Sequence, residues 1–167
     1  QSLENKSVFK NKLINFYNLN KFKIYTFIII LVLILISFIF LKKYNEKNNI
    51  LLAEKYIEAG LNLTSEDKEV AKKIYQEIIL SKNKFYSILA LNYIIEKNLI
   101  NDKKKILEYF NLLEKSAHSE NQKDLIILKK ALYLMKNSEV QESENLLKEL
   151  VNKDSHIRKL AEELLLN

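Results

Sequence analysis

The sequence predicts an all-α protein: one membrane-spanning helix near the N-terminus, then a domain built of short helices. Three observations lead there. The 167 residues contain one Gly and no Pro, too few for the many tight turns of a β-rich fold. Residues 24–41 form a run of 18 uncharged residues between Lys23 and Lys42-Lys43. From residue 50 onward, apolar residues recur at the spacing of a helix with one buried face.

Residues 1–23 are a basic tail with five Lys and one Glu. Phe9, Leu13, Phe16 and Tyr17 stand at helical spacing, with Lys10, Lys12, Asn15 and Asn18 between them. The tail is either a short helix lying on a membrane surface or a flexible basic segment. Residues 24–41 follow. At about 1.5 Å per residue they reach roughly 27 Å, near the hydrocarbon thickness of a bilayer. Tyr25 and Tyr44 stand where interfacial aromatics are expected, and Lys23, Lys42 and Lys43 are placed to snorkel. The run is far more apolar than any other segment, which argues against a core helix. A cleaved signal would have a shorter apolar region ending in small residues, whereas this one ends Ser37-Phe38-Ile39-Phe40-Leu41. It reads as a retained anchor. Lys6, Lys10, Lys12, Lys21 and Lys23 precede it, and Lys42, Lys43, Lys47 and Lys55 follow. Five against four leaves the orientation open under the positive-inside rule.

Residues 42–49 are polar, and either link the anchor to the domain or continue its helix. Beyond them, the pattern places helices at roughly 48–62, 66–80, 84–98, 102–117, 121–136, 139–153 and 155–166. Val70, Ala71, Ile74, Tyr75 and Ile78 line one helix face, and Ile106, Phe110, Leu113 and Ala117 another. Val140, Leu147, Leu150 and Val151 make a third. Ile157, Leu160, Ala161, Leu164 and Leu165 make a fourth. Phe85–Ile95 and Leu125–Met135 are apolar nearly all round, as central helices are. Ser119-x-x-Gln122 and Ser138-x-x-Gln141 fit the capping box. Thr64 or Ser65, Asn101, and Asp154 or Ser155 are further N-cap candidates. The loops are therefore short, and neighbouring helices run antiparallel.

The first helices of successive pairs begin near 48, 84, 121 and 155, at intervals of 36, 37 and 34 residues. A two-helix unit of about 34 residues is the tetratricopeptide period. Over residues 50–167 the sequence thus predicts a tetratricopeptide-like α-hairpin solenoid of about three and a half repeats, rather than a plain bundle. Ala71 and Tyr75 suit the small and aromatic positions where paired helices meet, while the consensus Trp, Gly and Pro positions are mostly empty. The helix over 155–166 lacks a second member. Leu164-Leu165-Leu166 ends it with exposed apolar side chains. Either this helix caps the stack by lying on helix 139–153, or it leaves an apolar edge for a partner.

Catalytic chemistry is not legible. One Gly excludes dinucleotide and phosphate loops, and the absence of Cys excludes thiolate metal sites and Cys nucleophiles. His118 and His156 stand alone near helix ends. Glu162 and Glu163 point to different sides of a helix. No catalytic residue, metal site, cofactor or small-molecule substrate is expected. The net charge is +6, but 26 of the 27 basic residues are Lys. Arg supplies most bidentate contacts to phosphate and guanine. Much of the excess charge lies on the tail, and the Lys runs alternate with Glu on helices, so nucleic acid is not an expected partner.

A single anchor followed by a tetratricopeptide-like domain resembles the ancillary subunit of the bacterial Sec translocon, the YfgM-like family. Asn83-Lys84-Phe85-Tyr86-Ser87-Ile88-Leu89-Ala90-Leu91 is similar to that family's polar turn, aromatic and Leu-Ala-x-Leu helix start. His156-Ile157-Arg158-Lys159-Leu160-Ala161-Glu162-Glu163-Leu164-Leu165 is similar to its later helix. Members of that family continue into a further helix, whereas the sequence stops at Asn167. The resemblance implies a bacterial inner-membrane anchor with a cytoplasmic N-terminus and a periplasmic helical domain. It implies two protein partners, the Sec channel and a periplasmic chaperone of the peptidyl-prolyl isomerase class. The expected function is a membrane-anchored interaction module for protein export; the alternative is a structural subunit of another membrane assembly. The expected partner-binding surface is the groove lined by the first helices of each pair, with Lys55, Asn92, Glu96 and Lys129 as its polar positions. Leu164, Leu165 and Leu166 are the second candidate surface, and the anchor contacts membrane lipid.

Overall fold

The computed structural model describes residues 2–65, 67–153 and 155–166, with side chains from residue 19 onward. The described residues form seven helices joined by short links, with no strand among them: α1 (Ser2–Thr64), α2 (Lys68–Leu80), α3 (Tyr86–Glu96), α4 (Lys103–Lys115), α5 (Glu120–Lys136), α6 (Val140–Asn152) and α7 (Arg158–Leu166). The chain divides into two units, residues 1–48 and 49–167.

Within the first unit, α1 is long and apolar enough to cross a membrane. Its apolar side chains from Phe27 to Leu41 are exposed on all sides. The two hydroxyls in this stretch are satisfied within the helix. Thr26 Oγ1 donates to Phe22 O at 2.9 Å, and Ser37 Oγ to Leu33 O at 2.8 Å. Neither would need water in a hydrocarbon environment. Residues 42–49 are helical, since this polar stretch contains neither Gly nor Pro to break α1. The side chains of the Phe9, Leu13, Phe16 and Tyr17 stripe, and those of Lys6, Lys10 and Lys12, lie outside the described residues.

In the second unit each helix packs on the next, from α2 through α7. Two apolar clusters form the core. The first joins Leu52 and Ala59 of α1 to α2, α3 and α4, ending on Ile126 of α5. The second joins Ile127, Leu128 and Ala131 of α5 to Leu147 and Leu150 of α6 and Ala161 of α7. The all-round apolarity of α5 lets it serve both. Ser87 and Ser143 are fully buried, and their small side chains donate across to a neighbouring helix, Ser87 Oγ to Ile78 O at 2.7 Å and Ser143 Oγ to Ala131 O at 2.8 Å. Side-chain hydrogen bonds also reach past the nearest helix. Asn83 Nδ2 donates to Asn49 Oδ1, Gln76 Nε2 to the Tyr109 hydroxyl, and Gln122 Nε2 to Lys84 O, over separations of 34, 33 and 38 residues. The Lys103–Glu139 pair spans 36 residues and the Ser155–Asp124 bond 31.

Asp124 is the one buried carboxylate among the described residues. It ties α5 to the turn between α6 and α7, taking Lys153 on one oxygen and Ser155 on the other. His156 Nδ1 stands 4.0 Å away. Burial alone would push this carboxyl up. The ion pair with Lys153 and the hydrogen bond from Ser155, with the charge of His156, outweigh burial and hold it below its ordinary value.

The ends of the helices correct several expectations. Ser119 caps α5 by accepting from Gln122 N at 3.3 Å. The return bond of the box goes one residue further out: Gln122 Oε1 accepts from His118 N at 2.9 Å. Asp67 and Asp102 cap α2 and α4, in place of Thr64 or Ser65 and of Asn101. An ionised carboxylate is a stronger acceptor for the free helix N–H groups than a hydroxyl or amide, and it complements the helix dipole. Ser155 Oγ accepts from Ile157 N ahead of α7; Asp154 lies outside the described residues. Ser138 does not cap α6. It sits at φ +64°, just past α5, and Glu139 N reaches back to Leu134 O at 3.0 Å. This is a left-handed helix stop, normally a glycine's position. Lys82 and Asn98 take the same conformation after α2 and α3.

Non-glycine residues pay about 1–2 kcal/mol for left-handed backbone, and Asn less than most. Ser138→Gly and Lys82→Gly are each expected to raise stability, by about 0.5–1 kcal/mol after the added freedom of the unfolded glycine is set against the relief. Asn98→Gly is expected to gain less. Denaturant titration of the full chain in detergent micelles reads all three.

Candidate interaction groove

The groove forms because α3 and α5 both pack on α4. Phe110 of α4, fully buried, makes its floor, and it lies 5.8 Å between ring centroids from Tyr133 of α5. Asn92, Ile95 and Glu96 line one wall from α3, at the spacing of a single helix face. Lys129, Leu132, Tyr133 and Lys136 line the other from α5, again one face. The hollow between them measures about 280 Å³. A smaller one of about 150 Å³ adjoins it, sharing Ile95, Tyr133 and Lys136 and closed by Asn98, Asn101 and Asn137. Together they run along α5 from residue 129 to residue 137.

The walls are apolar between polar groups. Leu132 is 41% exposed, although it lies in the core-forming segment of α5. Lys129 is half-buried, and burial pulls its ammonium below the ordinary lysine value. Among the described residues no carboxylate pairs with Lys129 or Lys136. The lining acid, Glu96, is turned to its neighbour, with Oε1 3.0 Å from Lys97 Nζ.

Three of the expected polar positions, Asn92, Glu96 and Lys129, thus meet in one groove. The fourth does not join them. Lys55 Nζ pairs instead with Glu77 Oε2 at 2.7 Å, holding α1 to α2. The apolar members Phe110, Leu132 and Tyr133 were missed by a search among polar residues. Their signal was present: α5 is apolar nearly all round, so some of its apolar side chains must meet solvent. The second candidate surface also changes. Leu164 and Leu165 are half-buried against the α5–α6 core, and Leu166 alone is largely exposed, at 87%. The helix therefore lies on its neighbour and covers two of the three leucines. In the first unit, Lys23, Tyr25, Lys42, Lys43 and Tyr44 are all exposed on α1, at either side of the apolar stretch.

A third hollow of about 340 Å³ lies among Gly60, Leu63, Lys68, Tyr93 and Lys97. Behind it is a tyrosine cluster: Tyr56 and Tyr93 stand 5.5 and 5.2 Å from the buried Tyr75 ring. Burial drives the Tyr75 phenol strongly upward, so it is neutral throughout the working range. Among the described residues no group of His, Asp or Glu is placed to hold a metal ion. No family model, curated protein or solved structure matches the chain.

Proposed function

We propose that the chain is a membrane-anchored protein-interaction module that docks partners in the α3–α5 groove. The observation that carries this reading is the groove itself: an exposed apolar wall, a buried aromatic floor and unpaired cationic groups assembled from three successive helices. The anchor's part is to concentrate the module at a membrane, where weak contacts gain avidity.

The stack is read as tetratricopeptide-like. Supporting this are the helix starts and the side-chain bonds that reach past the nearest helix, whose separations of 31–38 residues bracket the 34-residue period. The groove then belongs to the face lined by the first helix of each pair. The specific setting, an accessory factor of Sec-dependent export in a bacterial inner membrane with the helical domain in the periplasm, rests on the sequence resemblance. Its partners there are the translocon and a peptidyl-prolyl isomerase-type chaperone.

Photo-crosslinkers at Asn92 and Leu132 test the reading in cells, with Lys104 on the exposed face of α4 as the control position. Capture of Sec channel or periplasmic chaperone subunits from the groove, and not from position 104, is the expected result. Capture of cytosolic proteins alone would count against the export setting. Protease access to residues 50–167 in intact and opened spheroplasts checks the orientation: cleavage in intact spheroplasts is expected.

A further inference from the structure

The groove is chemically one-sided. Lys55, Lys72, Lys103, Lys105, Lys148 and Lys153 of the helical domain have each found a carboxylate, while others without one, such as Lys73 and Lys104, stand on open surface. Lys129 and Lys136, on the groove wall, have none. Lys129 is the more telling, since it is half-buried beside apolar side chains with no anion to offset its lost hydration. Glu96 is the nearest acid in the lining, and its ion pair with Lys97 occupies it. The lining therefore presents two free cations, an amide at Asn92, and the apolar surface of Ile95, Leu132 and Phe110.

Spacing sharpens this. Lys129 and Lys136 lie seven residues apart on one face, two helical turns, or roughly 10 Å along the axis. Leu132 stands between them, exposed. A complementary ligand carries two carboxylates on one face with an apolar side chain between them; in an extended chain these are residues i and i+4, about 13 Å apart, with the apolar residue at i+2, and the flexible Lys side chains take up the difference.

From this juxtaposition we infer that the groove takes an acidic-apolar peptide segment, with carboxylates on Lys129 and Lys136, an apolar side chain against Leu132 and Ile95, and a backbone group on Asn92. The inference rests on the docking role proposed above and specifies the chemistry of the partner. Binding would return to Lys129 the anionic neighbour its burial demands, so that the affinity depends on charge and on apolar contact together. Nucleic acid supplies the charge without the apolar side chain; a second copy of this chain would have to present its own acidic-apolar segment.

The test uses the full chain in detergent micelles and the fluorescein-labelled peptide Gly-Glu-Ser-Leu-Ser-Glu-Gly. Saturable binding is expected. It should weaken at least about tenfold in Lys129→Glu. Lys129→Met keeps the packing and removes the charge, and should weaken it also. Leu132→Ser should weaken binding by a similar factor, and Lys104→Glu should leave it within about twofold. The charge-reversed peptide Gly-Lys-Ser-Leu-Ser-Lys-Gly and the apolar-free peptide Gly-Glu-Ser-Asn-Ser-Glu-Gly should bind poorly. Equal binding of the charge-reversed peptide, or indifference to both Lys129 variants, overturns the inference. So does tighter binding of a single-stranded oligonucleotide with the same Lys129 dependence, or self-association sensitive to Lys129→Glu without peptide binding. If crosslinks from Asn92 capture a partner while the acidic peptide fails, the docking role stands and this chemistry falls. If neither occurs, both fall.

Discussion

Phe110→Ala is expected to destabilise the helical domain by about 3–5 kcal/mol, the range for emptying a fully buried aromatic site. Phe110 has no solvent exposure and belongs to the first core cluster. Its neighbours come from α3 and α5 as well as α4, so the vacated space is bounded by three helices that cannot collapse independently. Tyr133 loses its ring partner, and the wall of the groove loses its support. Because a domain's whole stability is of the order of 5–15 kcal/mol, this one change should visibly shift a denaturant midpoint. Phe110→Leu retains most of the volume and should lose much less. Groove binding should fall in the Ala variant even where the domain remains folded, because the floor is missing. Urea titration of the full chain in micelles, with peptide binding measured at low urea, separates the two effects. Equal stability of the Ala and wild-type chains would show that Phe110 does not bear on the core as described.

Asp124→Ala is expected to destabilise by about 2–3 kcal/mol. Removing one partner of a buried pair strands the other charge, but Lys153 retains 28% side-chain exposure and recovers part of its hydration, which reduces the effect. The loss also frees Ser155, so the start of α7 loosens. The pH dependence has a definite sign. The folded state holds the Asp124 carboxyl below its ordinary value of about 3.9. Its contribution is therefore present above that unfolded value and disappears as pH falls through the lower folded one. Wild-type stability should drop below about pH 4 through this group, and Asp124→Asn should lack that component while being less stable at neutral pH. Denaturant midpoints of both chains across the acid range provide the measurement. Parallel curves for the two would remove Asp124 from the account.

The helices were legible because composition and period agreed: without Pro and with a single Gly, the apolar stripes had little to interrupt them. Their ends were less so. Asn101 and Asp102 are both good caps, and the choice between them depends on where the preceding turn places the backbone, which no local pattern records. Ser138 carried a start signal that tertiary structure used as a stop. With Gly60 elsewhere, the left-handed positions had to fall to Lys82, Asn98 and Ser138, and none of these advertises that role. The groove was half legible. Asn92 and Glu96 share a helix face by spacing alone, and Lys129 lies on α5. That Lys55 would turn to Glu77, and that Leu132 would stay exposed, depended on how helices cross, which the sequence pattern leaves unspecified.

The tyrosine cluster has an optical consequence. The sequence has no Trp, so tyrosine is its intrinsic emitter, and the nine tyrosines stop at Tyr133. Rings at 5–6 Å exchange excitation readily, and Tyr56, Tyr75 and Tyr93 are that close. Emission therefore watches the helices before α6, while circular dichroism weighs every helix. In a stack whose members touch mainly their neighbours, melting can begin at one end. Loss of ellipticity that runs ahead of the change in emission would mark α6 and α7 as the end that opens first.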